Sequence, residues 1–206
     1  MNNRIIGIFR LAFIAFASLT LYQCNDDHTS TEKDSYFPLR EGSSWQMARK
    51  MFSASWEGNY DTLILRVDGD TIINGLSYKR ITADGTLMQL VRKENSKYYL
   101  REVWDKHSFS EEILFLDENA QVNSAWVHSS YLQYKVVAVN SVQTVNDVQY
   151  NNVIEMEINR LDGQGHADVT AKVYYAKGTG EIFGAFPYPL SGFYADIEKK
   201  LLKYTP

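Results

Sequence analysis

Apolar and polar residues alternate along most of the chain after about Tyr36. Every second residue is apolar in the runs 63–67, 154–158 and 169–175. Because successive side chains of a β-strand point to opposite faces, this period of two predicts strands with one buried face. No apolar stripe of period 3.6 is sustained, and even Ala195–Tyr204 alternates, so we predict a closing strand there and little helix.

Further runs rich in aromatic and β-branched residues predict more strands. They cover residues 45–52, 76–82, 87–92, 98–104, 112–116 and 131–139. The dipeptides Asp68-Gly69, Asn74-Gly75, Asp84-Gly85 and Asp162-Gly163 favour the left-handed conformations of tight hairpin turns. We therefore predict an all-β fold: a single domain of mostly antiparallel sheet, curved into a barrel, half-barrel or sandwich.

A partial internal repeat occurs at an offset of 72 residues. Val67, Ile73, Asn74, Tyr78 and Ile81 recur as Val139, Val145, Asn146, Tyr150 and Val153. In each copy an Asn opens a two-residue turn and a Tyr follows four positions later. This pattern predicts a duplicated strand–turn–strand unit, at about 63–82 and 135–154, with chance similarity as the alternative.

The N-terminal segment has the features of an export signal. Arg4 and Arg10 precede an apolar stretch from Leu11 to Tyr22, which is too short to span about 30 Å of hydrocarbon. Leu21-Tyr22-Gln23-Cys24 resembles a lipobox, although Tyr22 and Gln23 are bulkier than that pattern prefers. We predict a signal peptide at 1–23 and lipid attachment at Cys24; the alternative is an ordinary secretory signal with a chance cysteine.

The residues after Cys24 are polar and give two expectations. Residues 25–35 contain no large apolar side chain, so we expect 24–35 to be an acylated flexible tether and 36–206 to form the β domain. The acidic tract 25–27 resembles one that directs some Bacteroidetes lipoproteins to the outer face of the outer membrane; a merely solvated tether is the alternative. The expected location is the cell envelope, lipid-anchored, in the outer membrane with its domain exposed at the surface.

The net charge of the chain limits the kinds of molecule that it is expected to bind. Removing residues 1–23 deletes two arginines and no acid, so the formal charge of −4 becomes −6. A mildly acidic chain lacks the basic surface that neutralises phosphates, and nucleic acid is not an expected partner. An acylated Cys24 would leave no thiol for a disulfide.

Three motifs carry a resemblance that spans the predicted domain. Tyr36-Phe37-Pro38-Leu39 with Gly42 and Trp45, then 70–75 with Tyr78, then 174–182 are similar to the opening, middle and closing motifs of small Bacteroidetes lipoproteins. The resemblance implies the fold and the location. The shared residues are structural, and no chemistry comes with them.

Candidate catalytic groups are few. His28, His107, His128 and His166 are scattered without metal-ligand spacing, and no GxSxG elbow or phosphate-binding glycine loop is present. We therefore predict no catalytic residue, metal or cofactor. Most aromatic residues of the chain are expected to pack in the core. The exception is the segment 183–194, which Gly and Pro interrupt and in which aromatic rings are dense. We predict that it binds a ligand through Phe183, Phe186, Tyr188, Phe193 and Tyr194.

Three functional classes follow from these features. The first is a non-enzymatic binding or interaction module, for a glycan or a protein partner, with membrane contact through the lipid anchor. The second is a carrier or sensor of a hydrophobic ligand, whose mark would be an apolar interior too large for its side chains. The third is a hydrolase, whose site would need polar groups converging from distant strands.

Overall fold

A computed structural model describes residues 32–53, 56–103, 108–129, 132–161, 167–185 and 195–206. A single 3₁₀ turn, Glu32–Asp34, precedes twelve β-strands. The strands are β1 (Ser44–Ser53), β2 (Trp56–Ile73), β3 (Leu76–Ala83), β4 (Thr86–Glu94), β5 (Lys97–Glu102), β6 (Ile113–Asp117), β7 (Ala125–Ser129), β8 (Leu132–Val145), β9 (Val148–Leu161), β10 (Ala167–Ala176), β11 (Gly180–Ala185) and β12 (Ala195–Thr205).

All twelve strands belong to one antiparallel sheet, which confirms the predicted all-β fold. The strand order is β6-β5-β4-β3-β2-β1-β12-β11-β10-β9-β8-β7. Each half is therefore a meander, and the two halves join where β1 pairs with β12. The predicted closing strand is confirmed as β12.

The sheet is open but curled. Its edge strands, β6 and β7, are joined by residues 118–124 alone, which reach at most about 25 Å. The edges of a flat twelve-stranded sheet would lie about 50 Å apart. The edges instead approach each other, and the Trp126 indole Nε1 on β7 donates a hydrogen bond to the Leu114 carbonyl on β6 at 2.7 Å. The inner faces of both halves share one hydrophobic cluster.

The predicted turns have two outcomes within the described residues. Asn74-Gly75 and Asp84-Gly85 form the β2–β3 and β3–β4 hairpin turns, with positive φ at all four residues. The prediction for Asp68-Gly69 is wrong: these residues lie inside β2, where the register against β3 shifts between Val67 and Asp70. The positive φ of Gly69 serves a bulge instead of a turn. Asp162-Gly163 lies outside the described residues.

The two copies of the proposed repeat form the two hairpins β2–β3 and β8–β9. Thr71 pairs with Tyr78, and Gln143 pairs with Tyr150, so the register beside the two turns is the same at the offset of 72. Both hairpins also contain a bulge. A common origin for the two units stays a prediction.

The two ends of the curled sheet differ in their connections. Because all neighbouring strands are antiparallel, β1 begins and β12 ends on the same side as the turns β2–β3, β4–β5, β6–β7, β8–β9 and β10–β11. We call this side the entry end and the opposite side the far end. Ser35 is buried at the entry end, where its carbonyl accepts a hydrogen bond from the Gly178 amide at 2.7 Å. Just before it, Asp34 forms an ion pair with Lys177 at 3.4 Å, so the residues that lead into the sheet are held at the β10–β11 turn.

Candidate ligand cavity

A cavity of about 450 Å³ lies on the inner face of the sheet, between the central strands. This volume falls within the range of small-molecule sites, about 300–1,000 Å³. Its apolar and aromatic lining comprises Phe37, Trp45, Met47, Leu63, Leu65, Ile81, Ala83, Met88, Leu100, Phe115 and Tyr175. Its polar lining comprises Arg49, Asp84, Thr86, Gln89, Glu181 and Lys199.

The strand alternation places these side chains. Trp45, Met47 and Arg49 are successive inward residues of β1, and Leu63 and Leu65 are their neighbours on β2. Leu65 pairs with Ala83 of β3, whose side chain is a single methyl group. A small residue at this position leaves space that its neighbours do not fill.

Phe37 forms one wall of the cavity at the entry end. Its ring stacks on Trp45 with centroids 5.3 Å apart and meets the Phe115 ring edge-on at 5.4 Å. Phe37 also lines a second cavity of about 670 Å³, whose lining is mainly polar. The side chain of Phe37 therefore separates the apolar cavity from the entry end.

Trp45 is held by the β10–β11 turn. Its indole Nε1 donates to the Thr179 carbonyl at 2.5 Å. At the next residue, Gly180, an added Cβ would lie 2.7 Å from the same Nε1, and φ is +99°. Only glycine fits this approach. The turn thus fixes the orientation of the largest ring in the cavity wall.

Two ion pairs line the cavity, one of them toward the far end. Arg49 binds Asp61 through Nε and Nη2, at 3.0 and 2.8 Å, and Lys199 Nζ lies 2.8 Å from Glu181 Oε1. Arg49 and Lys199 are cross-strand partners, so the two pairs are adjacent. The Arg49 hydrogen bond holds the pKa of Asp61 below its usual value. The Arg49–Asp61 pair thus forms a charged rim toward the far end, whereas the Lys199–Glu181 pair places charge deeper in the wall, because Glu181 is the second residue of β11 and follows the entry-end turn.

The tyrosines of the interior are neutral hydrogen-bonding groups. Burial raises the pKa of Tyr175 well above its usual value. Burial likewise raises the pKa of Tyr98, whose hydroxyl hydrogen-bonds to Glu118 Oε1 at 2.7 Å and to Ser35 Oγ at 2.5 Å. Groups that stay protonated at all ordinary pH values do not act as bases. Tyr175 contributes to the cavity wall, whereas Tyr98 meets the Phe37 ring edge-on at 6.1 Å.

The residues predicted as a binding cluster do not line this cavity as far as they are described. Phe183 is half-buried on β11 and contacts the Tyr174 ring at 5.0 Å. Its neighbours Ile182 and Gly184 are buried, and Gly184 pairs with the cavity residue Lys199, so Phe183 lies on the outer face. Phe186, Tyr188, Phe193, Tyr194 and the predicted lipid site Cys24 lie outside the described residues.

The sequence pattern did not predict that the cavity residues form a site. Alternation identifies Trp45, Met47, Leu63 and Ile81 as inward-facing. It does not tell a filled interior from one with space, because the volume depends on the distance between the two curled halves. A usable signal was the small Ala83 among large inward residues.

Among the described residues, no group of three or more His, Cys, Asp or Glu side chains could hold a metal ion. In the same part of the chain, no helix has the length and apolar character needed to cross a membrane.

The comparisons find structural similarity alone. No protein-family model and no curated protein matches the chain. A predicted exported protein with a YmcC-like fold from Bacteroides fragilis aligns with a TM-score of 0.44 and 10% identity, covering 84% of this chain and 100% of that one. A predicted lipoprotein from Parabacteroides distasonis aligns with a TM-score of 0.40 and 11% identity, covering 84% and 99%. At such scores the similarity assigns no function.

Proposed function

We propose that this protein is a lipid-anchored, non-enzymatic envelope protein that binds a hydrophobic ligand inside its curled sheet. The observation that carries the proposal is the cavity of about 450 Å³ walled by apolar and aromatic side chains. Its volume falls within the range of small-molecule sites, and a ligand that buries apolar surface against these side chains gains free energy by leaving water.

The distribution of polarity indicates how such a ligand would lie. An apolar chain or ring system would contact Trp45, Leu65 and Phe115, while its polar end would lie at the rim near Arg49 and Lys199. Arg49 is already paired with Asp61, and Lys199 with Glu181. A ligand's hydroxyl or amide groups would therefore meet donors and acceptors without displacing an ion pair. This arrangement favours the carrier or sensor reading over surface recognition of a glycan or a protein.

The envelope location rests on the N-terminal sequence. An apolar stretch that ends at a single cysteine, followed by a polar segment, supports export and acylation at Cys24. The outer membrane and surface exposure are the finer part of this proposal. Cys24→Ala should release the protein from the membrane fraction or leave it uncleaved. A correctly cleaved variant that stays fully membrane-bound would contradict the anchor.

Ligand binding is tested by a thermal-shift screen of the purified protein against fatty acids, lysophospholipids and polysaccharide fragments. A ligand at 100 times its Kd adds about 2.7 kcal/mol, which raises the midpoint by several degrees in a domain of this size. We expect stabilisation by lipids and not by sugars.

Ala83→Phe adds a ring to the cavity wall and should abolish that stabilisation. The matched control is Ala48→Phe, because Ala48 lies between the inward residues Met47 and Arg49 of β1 and faces outward. If Ala83→Phe folds and still responds to the same lipid, the ligand binds elsewhere. A response to sugars alone would favour the surface-recognition reading.

A further inference from the structure

Exposed apolar side chains gather on the two long hairpins at the entry end. On β2–β3, Ile72 is 74% and Leu76 43% exposed; on β8–β9, Val142 is 54% and Val148 49% exposed. Leu76 and Val148 correspond at the offset of 72 between the two units. Two hairpins far apart in the strand order thus carry apolar tips on the same end of the molecule.

The same tips are almost free of charge. Residues 140–154 contain one charged side chain, Asp147, whereas 22% of the whole chain is charged, which would give about three in fifteen residues. The tip 71–77 contains none. A segment that enters the membrane interface must avoid buried charge. The tip 71–77 meets that condition, and Asp147, the one charged residue of 140–154, is exposed in the β8–β9 turn, where its carboxylate can stay among the lipid headgroups.

The chain itself connects this end to the predicted anchor. Ser35 is fixed at the entry end by Gly178, and ten residues lie between it and Cys24. The chain from Cys24 to Ser35 reaches at most about 40 Å. An acyl group on Cys24 would therefore hold the entry end, and not the far end, close to the bilayer.

We infer that the tips of the β2–β3 and β8–β9 hairpins rest in the interface of the membrane that holds the lipid anchor. This inference rests on the acylation of Cys24 proposed above. Its consequence is a fixed orientation, in which the entry end faces the bilayer and the charged rim of the cavity, at the far end, faces away from it. A ligand would then enter or leave on the side opposite the membrane.

The experiment uses the full gene, expressed so that the acylated product can be purified. Acylation blocks the one native thiol, so Ile72→Cys or Val148→Cys supplies a unique site for an environment-sensitive NBD label. The matched control is Ile64→Cys, because Ile64 is 43% exposed on β2 and lies roughly 25 Å along the strand from Ile72. Each protein is reconstituted into phosphatidylethanolamine–phosphatidylglycerol vesicles with nitroxide-labelled lipid.

We expect the nitroxide to quench the label at positions 72 and 148 at least about twofold more than at 64, because interfacial residues lie about 5–10 Å deep. Acylated protein with equal or absent quenching at all three positions would overturn the inference and leave the anchor intact. A purified protein whose mass lacks the acyl chains would instead overturn the anchor, and the inference with it.

Discussion

At the scale of single residues, Glu112 is where the polar contacts of the outer face converge. Arg92 donates to both of its carboxylate oxygens, at 2.5 and 2.7 Å, and the Tyr78 hydroxyl donates at 2.5 Å. Arg101 donates to the Tyr78 hydroxyl at 3.1 Å and to the Ser110 carbonyl at 2.9 Å. These bonds hold the segment before β6 against the sheet.

The first prediction concerns Glu112→Gln and pH. The hydrogen bonds from Arg92 hold the pKa of Glu112 below its usual value. A depressed pKa favours the folded state at pH values above the ordinary carboxyl range, and this contribution is lost as the pH falls through the folded-state pKa. The variant should therefore lose about 2 kcal/mol at pH 7, the scale of a charge-assisted hydrogen bond, and less at pH 3.5.

Chemical denaturation at pH 7, 5 and 3.5 measures this difference. Glu111→Gln is the control, because Glu111 is the exposed neighbour in sequence. Equal pH dependence in the Glu112 variant and the wild type would show that the carboxylate contributes nothing to stability.

The sequence allows part of this residue-scale picture to be predicted. Adjacent residues of an extended chain face opposite ways, and in the structure Glu111 is exposed while Glu112 binds Arg92. That Arg92, twenty residues earlier, would be the partner could not be predicted. The contact depends on how the 103–112 connection returns to the sheet, and spacing in sequence does not encode it.

At the scale of elements, the β10–β11 hairpin shows how one turn positions a wall of the cavity. Gly180 permits the turn to approach Trp45, and Thr179 accepts the indole hydrogen bond. The second prediction is that Gly180→Ala loses at least about 2 kcal/mol, from strain at φ +99° and from overlap with the indole.

The thermal midpoint should fall by at least about 4–8 °C, since each kcal/mol shifts a domain of this size by about 2–4 °C. The control is Gly85→Ala, where φ is +81° but nothing lies within 4 Å of the added Cβ. The control should lose about 1 kcal/mol, the cost of the backbone conformation. Equal losses in the two variants would mean that contact with Trp45 carries no energy.

Turn signals show the limit of prediction at this scale. Asp84-Gly85 and Asp68-Gly69 carry the same dipeptide, and both glycines have positive φ. The former closes a hairpin, whereas the latter bulges within a strand of eighteen residues that pairs with β1 on one side and β3 on the other. A local signal fixes the backbone angle, but long-range pairing decides whether the chain reverses.

At the scale of the whole molecule, the strand order requires the two edges to meet. Consecutive strands β6 and β7 occupy opposite edges, and no strand pairing joins them in the described residues. The Trp126 side chain of β7 makes a contact between the edges by donating to the Leu114 carbonyl of β6. Its ring also stacks on Tyr134 of the neighbouring strand β8 at 6.1 Å. Burial raises the pKa of Tyr134 to about 12, so its phenol stays neutral beside this junction.

The alternating pattern predicted the antiparallel sheet but left barrel, half-barrel and sandwich open. A sheet closes into a barrel when the backbones of its two edge strands come within hydrogen-bonding distance. The alternation of residues is the same in a closed barrel and in an open curled sheet. The structure shows an open curled sheet. In an open sheet, the outer backbone groups of the edge strands β6 and β7 have no strand partner. The Trp126 side chain provides a partner for one of them, the Leu114 carbonyl.

The third prediction follows from this junction. Trp126→Phe keeps an aromatic ring beside Tyr134 but removes the donor to Leu114, so the loss should be about 1 kcal/mol. Hydrogen exchange should become faster at the amides of β6 and β7 and stay unchanged at the β1–β12 pairing in the middle of the sheet. Val127→Ala, at an exposed β7 position, is the control. Unchanged exchange at both edges would show that the bond does not hold the curl, and faster exchange across all twelve strands would mean that the curl and the sheet unfold as one unit.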